Sequence, residues 1–302
     1  MTGPARAVLL VAHVRREPAC LAARLAAERL LTAGLEVRVL APEAAQIGAT
    51  GVTVVPADGH AADGCELVVV LGGDGTLLRG AELTRGAEAA LLGVNLGHVG
   101  FLAEAEEDDL TAVVERVVVR DYVVEERLTL DVVVLRDRTG AATEVRTWAV
   151  NEASVEKGAR EKMIDVIVEV DGRPLSRWGT DGVVCATPTG STAYAFSAGG
   201  PVVWPEVEAL LLVPISAHAL FARPLVVAPT SVLAVELGAT SSGVLWCDGR
   251  RLVELEPEDR VEVRRSTVPL RLARLHPLPF TDRLVRKFDL PVQGWRGRRG
   301  QR

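Results

Sequence analysis

The chain has 302 residues, 48% of them hydrophobic, and a formal net charge of −6 from 34 basic and 40 acidic side chains. That length suggests two domains with sizeable cores. The acidic balance and an aromatic content of only 4% argue against a nucleic-acid surface or a base-stacking platform. Cys20, Cys65, Cys185 and Cys247 stand far apart with no CxxC pair, so neither a zinc site nor a disulfide framework is expected. No charged-then-apolar leader opens the sequence, and no apolar run reaches about 18 residues. A soluble, cytoplasmic protein is the expectation.

In chain order, residues 7–12 (AVLLVA) predict a first buried strand, running into His13. Residues 18–33 predict a helix, with Leu21, Leu25 and Leu30 at helical spacing and Gly34 as its stop. Residues 36–40 predict a second strand, and residues 41–64 read as loose, with one short strand near 52–55. Residues 67–71 are an unbroken apolar run, the pattern of a strand buried on both faces. It ends in Gly72-Gly73-Asp74-Gly75-Thr76, and a helical pattern follows through Leu77, Leu78 and Leu83. Residues 90–94 predict one more buried strand, leading into Asn95. This alternation predicts an α/β first domain, Rossmann-like with a mostly parallel sheet, over residues 1–120. Residues 104–109 are an acidic connector.

From residue 121 to 275 the pattern changes to short alternating or valine-rich runs separated by turn residues. Such runs predict a β-rich, sandwich-like second domain. Asp171-Gly172 predicts a hairpin turn. Residues 276–302 read as a less regular tail, with a helix expected near 281–288 and disorder expected at the basic end.

Three constellations carry chemistry. The glycine turn lies between a strand and a helix start, where backbone N–H groups and the helix dipole favour an anion. Its glycines leave no Cβ between backbone and ligand. Asp74 within it would repel phosphate unless it binds a metal or accepts a proton from an attacking hydroxyl. The bland alternative is a plain turn with Thr76 as the helix cap. The second constellation is residues 187–200, a dense run of small hydroxyls and glycines with no charge between Asp181 and Glu206. The third is Asn151-Glu152 at a strand end, an amide and a carboxylate suited to ribose hydroxyls or a base edge. His13 at a strand end reads as structural more readily than as a phosphate contact.

In this order the motifs resemble the NAD kinase family: the glycine turn, the segment 95–102 (NLGHVGFL), Asn151-Glu152, and the block from Asp181 to Pro201. The resemblance implies transfer of the γ-phosphoryl of ATP, with polyphosphate as an alternative donor, to the adenosine 2′-hydroxyl of NAD, giving NADP. It implies Mg²⁺ or another divalent metal, a homo-oligomer, and a tail that returns to the first domain. Asp74 would be the proton acceptor. Gly72, Gly73, Gly75, Thr76, Arg79 and Asn95 would contact ligand around it. Asn151, Glu152, Lys162, Asp181, Thr192, Ala193, Tyr194 and Ser197 would bind the dinucleotide. No residue is assigned as a metal ligand. Gly179 stands where some relatives carry a basic side chain, and Arg250 where others carry glutamine. The competing readings are a lipid or sugar kinase sharing the glycine turn, and a non-catalytic dinucleotide sensor on the same scaffold.

Overall fold

The computed structural model describes residues 6–96, 105–106, 110–138, 141–158, 162–275 and 279–292. The chain divides into two compact units, residues 1–126 with 270–302, and residues 127–269.

The first unit opens with β1 (Ala7–Ala12), α1 (Glu17–Thr32), β2 (Glu36–Leu40), α2 (Ala41–Ile47) and β3 (Thr53–Val55). It continues with β4 (Cys65–Leu71), α3 (Asp74–Thr84), β5 (Ala90–Asn95), β6 (Ala105–Glu106), α4 (Leu110–Val119) and β7 (Val123–Arg127). Every residue of β1 and β5 is buried, as a strand covered on both faces requires. α1 packs through a different face from the one its leucines suggest. Ala19, Ala22, Ala23, Ala26, Ala27 and Leu30 are buried, whereas Leu21 and Leu25 are exposed. Alanines let the helix axis approach its neighbours closely, and one helix can cover only one face. α2 falls in the stretch read as loose. Its proline sits in the first turn, where no N–H is needed, and Gly48 closes it at φ 62°. Seven residues are too few to display a helical period.

The second unit runs through β8 (Leu130–Arg138), β9 (Ala141–Ala149), β10 (Glu152–Lys157), β11 (Ile164–Val170), β12 (Arg173–Thr180) and β13 (Gly182–Ala186). A 3₁₀ turn (Thr189–Thr192) and α5 (Tyr194–Ser197) follow, then β14 (Leu210–Ile215), β15 (Leu225–Val227) and β16 (Leu233–Leu237). β17 (Gly243–Cys247), β18 (Arg251–Leu255) and β19 (Arg260–Arg265) complete it. The strands form two six-stranded sheets, β15-β14-β13-β10-β17-β18 and β12-β11-β16-β19-β8-β9. Their inner faces share one core that includes Val132, Val155, Val166, Trp178, Leu212 and Leu245. That is a sandwich. Asp171 and Gly172 join β11 to β12 with φ of 54° and 70°, the left-handed pair a tight hairpin turn demands. Residues 184, 186, 195, 203, 211 and 213 form a smaller core on the outer face of β13 and β14. This explains why the valines of β13 run without alternation: both of its faces are covered.

The chain then returns to the first unit as β20 (Leu270–Arg274), parallel to β5, and α6 (Phe280–Phe288). The complete first sheet is ordered β3-β2-β1-β4-β5-β20-β7, with β6 also pairing β5. Both β7 and β20 therefore belong to this sheet, a few residues inside the limits of 120 and 275 read from pattern. The pairs among β1 to β5 are all parallel. Strand order reverses between β1 and β4, the switch point at whose carboxyl ends such sheets bind ligands.

Candidate active site

The glycine turn lies at that switch point. His13, just past β1, donates its N–H to the carbonyl of Leu71 at 3.1 Å, and Gly72 donates to Val94 at 3.0 Å. Three strand ends are thus stitched together where the turn begins, with the buried Asn95 closing β5 beside them. Gly73 is the helix cap and Asp74 the first residue of α3. Thr76 is therefore not the cap. It is buried at the third helical position, and a Cβ added to Gly72 would stand 2.7 Å from its hydroxyl and 3.3 Å from the Cβ of His13. Gly72 serves close packing of the turn onto its own helix. Gly73 and Gly75 face open space, with nothing within 4 Å of an added Cβ. Bare backbone thus meets whatever approaches the helix start. Deeper in α3, a Cβ on Gly80 would meet Val70 at 2.5 Å and Leu91 at 2.7 Å, so the helix sits directly on β4 and β5.

Arg79 does not project as a lone cation. Its Nη2 pairs with Glu43 and donates to the carbonyl of Ala12 at 3.0 Å. Glu43, only 1% exposed, also accepts the N–H of Ala12 at 2.8 Å. Burial raises the Glu43 carboxyl above its usual range, with the Ala12 N–H and Arg79 opposing. α2, α3 and the end of β1 are locked around this one acid. Nothing in the local sequence marks Glu43, because its partners are 31 and 36 residues away.

In the second unit, Asn151 and Glu152 form the turn into β10, which lies in the middle of its sheet between β13 and β17. Glu152 opens a strand that the sequence reading left out. Ala153 and Val155 enter the core, while Glu152, Ser154 and Glu156 share the other face. The serine- and glycine-rich block packs on the same turn. Thr187 donates its N–H to the carbonyl of Asn151 at 2.9 Å and its hydroxyl to that of Val150 at 2.7 Å. Gly190 passes so close that an added Cβ would stand 2.0 Å from the Asn151 carbonyl oxygen. Tyr194 donates its N–H to Glu152 at 3.3 Å. Its ring is partly exposed, and burial, then the Glu156 charge, raise the phenol above its ordinary value. Asp181 is tethered to Lys157 at 2.6 Å. Thr192 donates its hydroxyl to Thr189 at 3.2 Å, Ala193 is half-buried, and Ser197 and Lys162 are exposed. His218 donates its N–H to the carbonyl of Gly179 at 2.8 Å. Arg250 is exposed at the turn after β17. Residues 97–102 of the sequence motif, most of the acidic connector and the basic end fall outside the described residues.

A family model of the ATP-NAD kinase N-terminal domain matches residues 8–122, and one of the ATP-NAD kinase C-terminal domain matches residues 150–275. The chain belongs to the ATP-NAD kinase family. It is 64% identical over 304 residues to the NAD kinase of Thermobifida fusca, covering 98% of this chain and 93% of that one. A crystal structure of an NAD kinase from Archaeoglobus fulgidus in complex with ATP superposes with a TM-score of 0.71 at 26% identity, covering 95% of this chain and 100% of that one. Yeast NADH kinase complexed with NADH shares the fold, with a TM-score of 0.87 at 22% identity over 97% of this chain and 90% of that one.

The four cysteines are buried and unbridged. Burial raises the thiols of Cys185 and Cys247 to about 12, so both are small neutral hydrophobes. Glu152 is the most strongly shifted carboxyl among the candidate residues. Burial, then the charge of Asp248, lift it from its ordinary 4.5 to about 8, although the Tyr194 N–H favours the charged form. The folded state therefore holds a proton between pH 4.5 and 8 that the unfolded state releases. Stability falls across that window, by at most about 1.4 kcal/mol per pH unit, and levels off above it. Glu152→Gln has no such proton to lose. In thermal melts without ligand, the variant should match the parent at the acid end and exceed it at the alkaline end. A parent–variant difference that stays constant with pH would contradict this.

Proposed function

We propose that this protein is an NAD kinase that transfers the γ-phosphoryl of ATP to the 2′-hydroxyl of the adenosine ribose of NAD, giving NADP. The observation that carries the reading is Asp74 at the first position of α3, inside a glycine turn at the sheet's switch point. A binder of phosphate gains nothing from an acid there, whereas a phosphotransferase needs a proton acceptor for the attacking hydroxyl. Phosphoryl transfer is otherwise mostly positioning and charge stabilisation. The backbone N–H groups of the turn and the N-terminus of α3 supply both. Asn151, Glu152, Asp181 and residues 192–197 supply the donors and acceptors that select one hydroxyl of the dinucleotide.

Among the described residues, no group of three or more His, Cys, Asp or Glu side chains could hold a metal by itself. Mg²⁺ in such reactions is held chiefly by the nucleotide phosphates and water, with one or two carboxylates. The described residues offer no dedicated cage, which fits a metal carried in on the phosphates of ATP and leaves the role of proton acceptor to Asp74. When bound, the metal neutralises charge on the phosphates. We further assign the enzyme to the cytoplasm, as a homo-oligomer, with ATP as donor and polyphosphate as the alternative to test.

The test mixes purified protein with Mg²⁺, ATP and NAD and reads NADP with an NADP-specific dehydrogenase. NADP formation that requires ATP and stops on chelation with EDTA is the expected result. A folded protein that binds NAD but forms no NADP with ATP or polyphosphate would refute catalysis and leave the sensor.

A further inference from the structure

The turn between β17 and β18 contains a buried acid that touches no surface. Asp248 has a side chain 1% exposed and a left-handed φ of 54°. Its carboxylate accepts the N–H of Val150 at 2.9 and 3.0 Å and the N–H of Asn151 at 2.7 Å, with Glu152 N–H at 3.4 Å. Three consecutive amides thus converge on one carboxylate. The backbone N–H of Asp248 returns a bond to the carbonyl of Glu152 at 3.0 Å. Arg251 balances the charge at 2.8 Å, donates to the carbonyl of Trp148 at 2.8 Å, and lies over the Trp148 ring at 4.5 Å. The end of β9 and the start of β10 are therefore both held by residues about 100 positions further along the chain.

We infer that Asp248 is a positioning residue for dinucleotide recognition: it sets the backbone of Asn151 and Glu152 without touching the ligand. The inference rests on the reading above that Asn151 and Glu152 hold NAD. The carboxylate is almost wholly buried, so ligand contact is not its role. Every amide it accepts belongs to the Asn151–Glu152 turn or the residue before it, so its loss is felt at that turn first. Asp248 also acts through charge. The groups facing Glu152 are Asp248, Glu156 on the same strand, the Cys247 thiol and the N–H of Tyr194, with Arg251 behind Asp248.

Asp248→Asn keeps one acceptor, tolerates the left-handed backbone, and removes the charge. The expected result is a rise in KM for NAD of at least about tenfold, with KM for ATP and kcat held within about twofold. In addition, the pH midpoint of KM for NAD moves to lower pH, because a negative charge beside Glu152 is gone. A purely structural role would not move that midpoint. Asn151→Ala and Glu152→Gln are measured alongside. If those two leave KM for NAD unchanged, the NAD-binding reading fails. If they raise it while Asp248→Asn does not, or while Asp248→Asn raises KM for ATP equally, the positioning role of Asp248 is overturned. Should Asp248→Asn fail to fold, Arg251→Lys keeps a counter-charge but loses the planar stack on Trp148. It should raise KM for NAD several-fold and leave KM for ATP unchanged, and equal effects on both would overturn the proposal.

Discussion

Asp74→Asn should lower kcat by about a thousandfold or more while the dissociation constant for NAD stays within about threefold of the parent. The asparagine is isosteric, stays at the first position of α3 and leaves the glycine backbone as it is, so the phosphate cradle survives. What it loses is the capacity to accept the ribose proton as the phosphoryl group arrives. Removing the negative charge from a helix N-terminus also lessens repulsion toward phosphate, which bears on ATP binding in the favourable direction. The separation of binding from turnover is therefore the diagnostic. Single-turnover kinetics with equilibrium binding measured by calorimetry would show it. Normal turnover in the variant would remove Asp74 from the chemistry and with it the main argument for a phosphotransferase.

The second large effect is steric. Gly190→Ala should destabilise the folded protein by at least about 3 kcal/mol, lowering the melting temperature by roughly 6–12 °C. An added Cβ would stand 2.0 Å from the carbonyl oxygen of Asn151, 2.5 Å from its carbonyl carbon and 2.8 Å from its Cα. All three are backbone atoms, so no side-chain rotation relieves the clash. The Asn151 carbonyl is also fixed by the N–H of Thr187, and the amides on the other side of the same turn are fixed by Asp248. Displacement of the turn is thus opposed from both sides, and KM for NAD should rise in whatever protein remains folded. Gly75→Ala provides the control for stability, because nothing lies within 4 Å of its added Cβ. A Gly190→Ala protein that melts with the parent would show that residues 187–200 are not seated on the turn as described.

The two glycines show why part of the site was legible in the sequence. A valine-rich run that ends in a glycine turn and restarts as a helix is a local pattern, and its strand, turn and helix appear almost at the expected residues. The Asp171-Gly172 hairpin is local in the same sense, since turn geometry depends on the φ of two adjacent residues. Asn151, Glu152 and the hydroxyl-rich block stood out by residue type, and the resemblance to a family added the dinucleotide they would hold. Other elements were not legible. α2 is too short for a period, and β10 carries Glu152, Ser154 and Glu156 on one face. β14 was passed over although Leu210–Ile215 is plainly apolar. α1 leaves Leu21 and Leu25 exposed, while its alanines and Leu30 do the packing.

By itself the sequence determined the α/β first unit, the β-rich second unit, the glycine turn with Asp74 and the hairpin at Asp171. Each follows from hydrophobic periodicity or turn chemistry among neighbouring residues, and those forces act within a few positions along the chain. Only the tertiary structure decided that Arg79 is paired with Glu43, that Glu152 sits buried beside Asp248 with its carboxyl lifted to about 8, and that one buried acid gathers the amides of the Asn151–Glu152 turn. Burial and charge pairing depend on distance in space. Asp248 and Asn151 are 97 residues apart in the chain and 2.7 Å apart in the fold, and no local pattern carries that information.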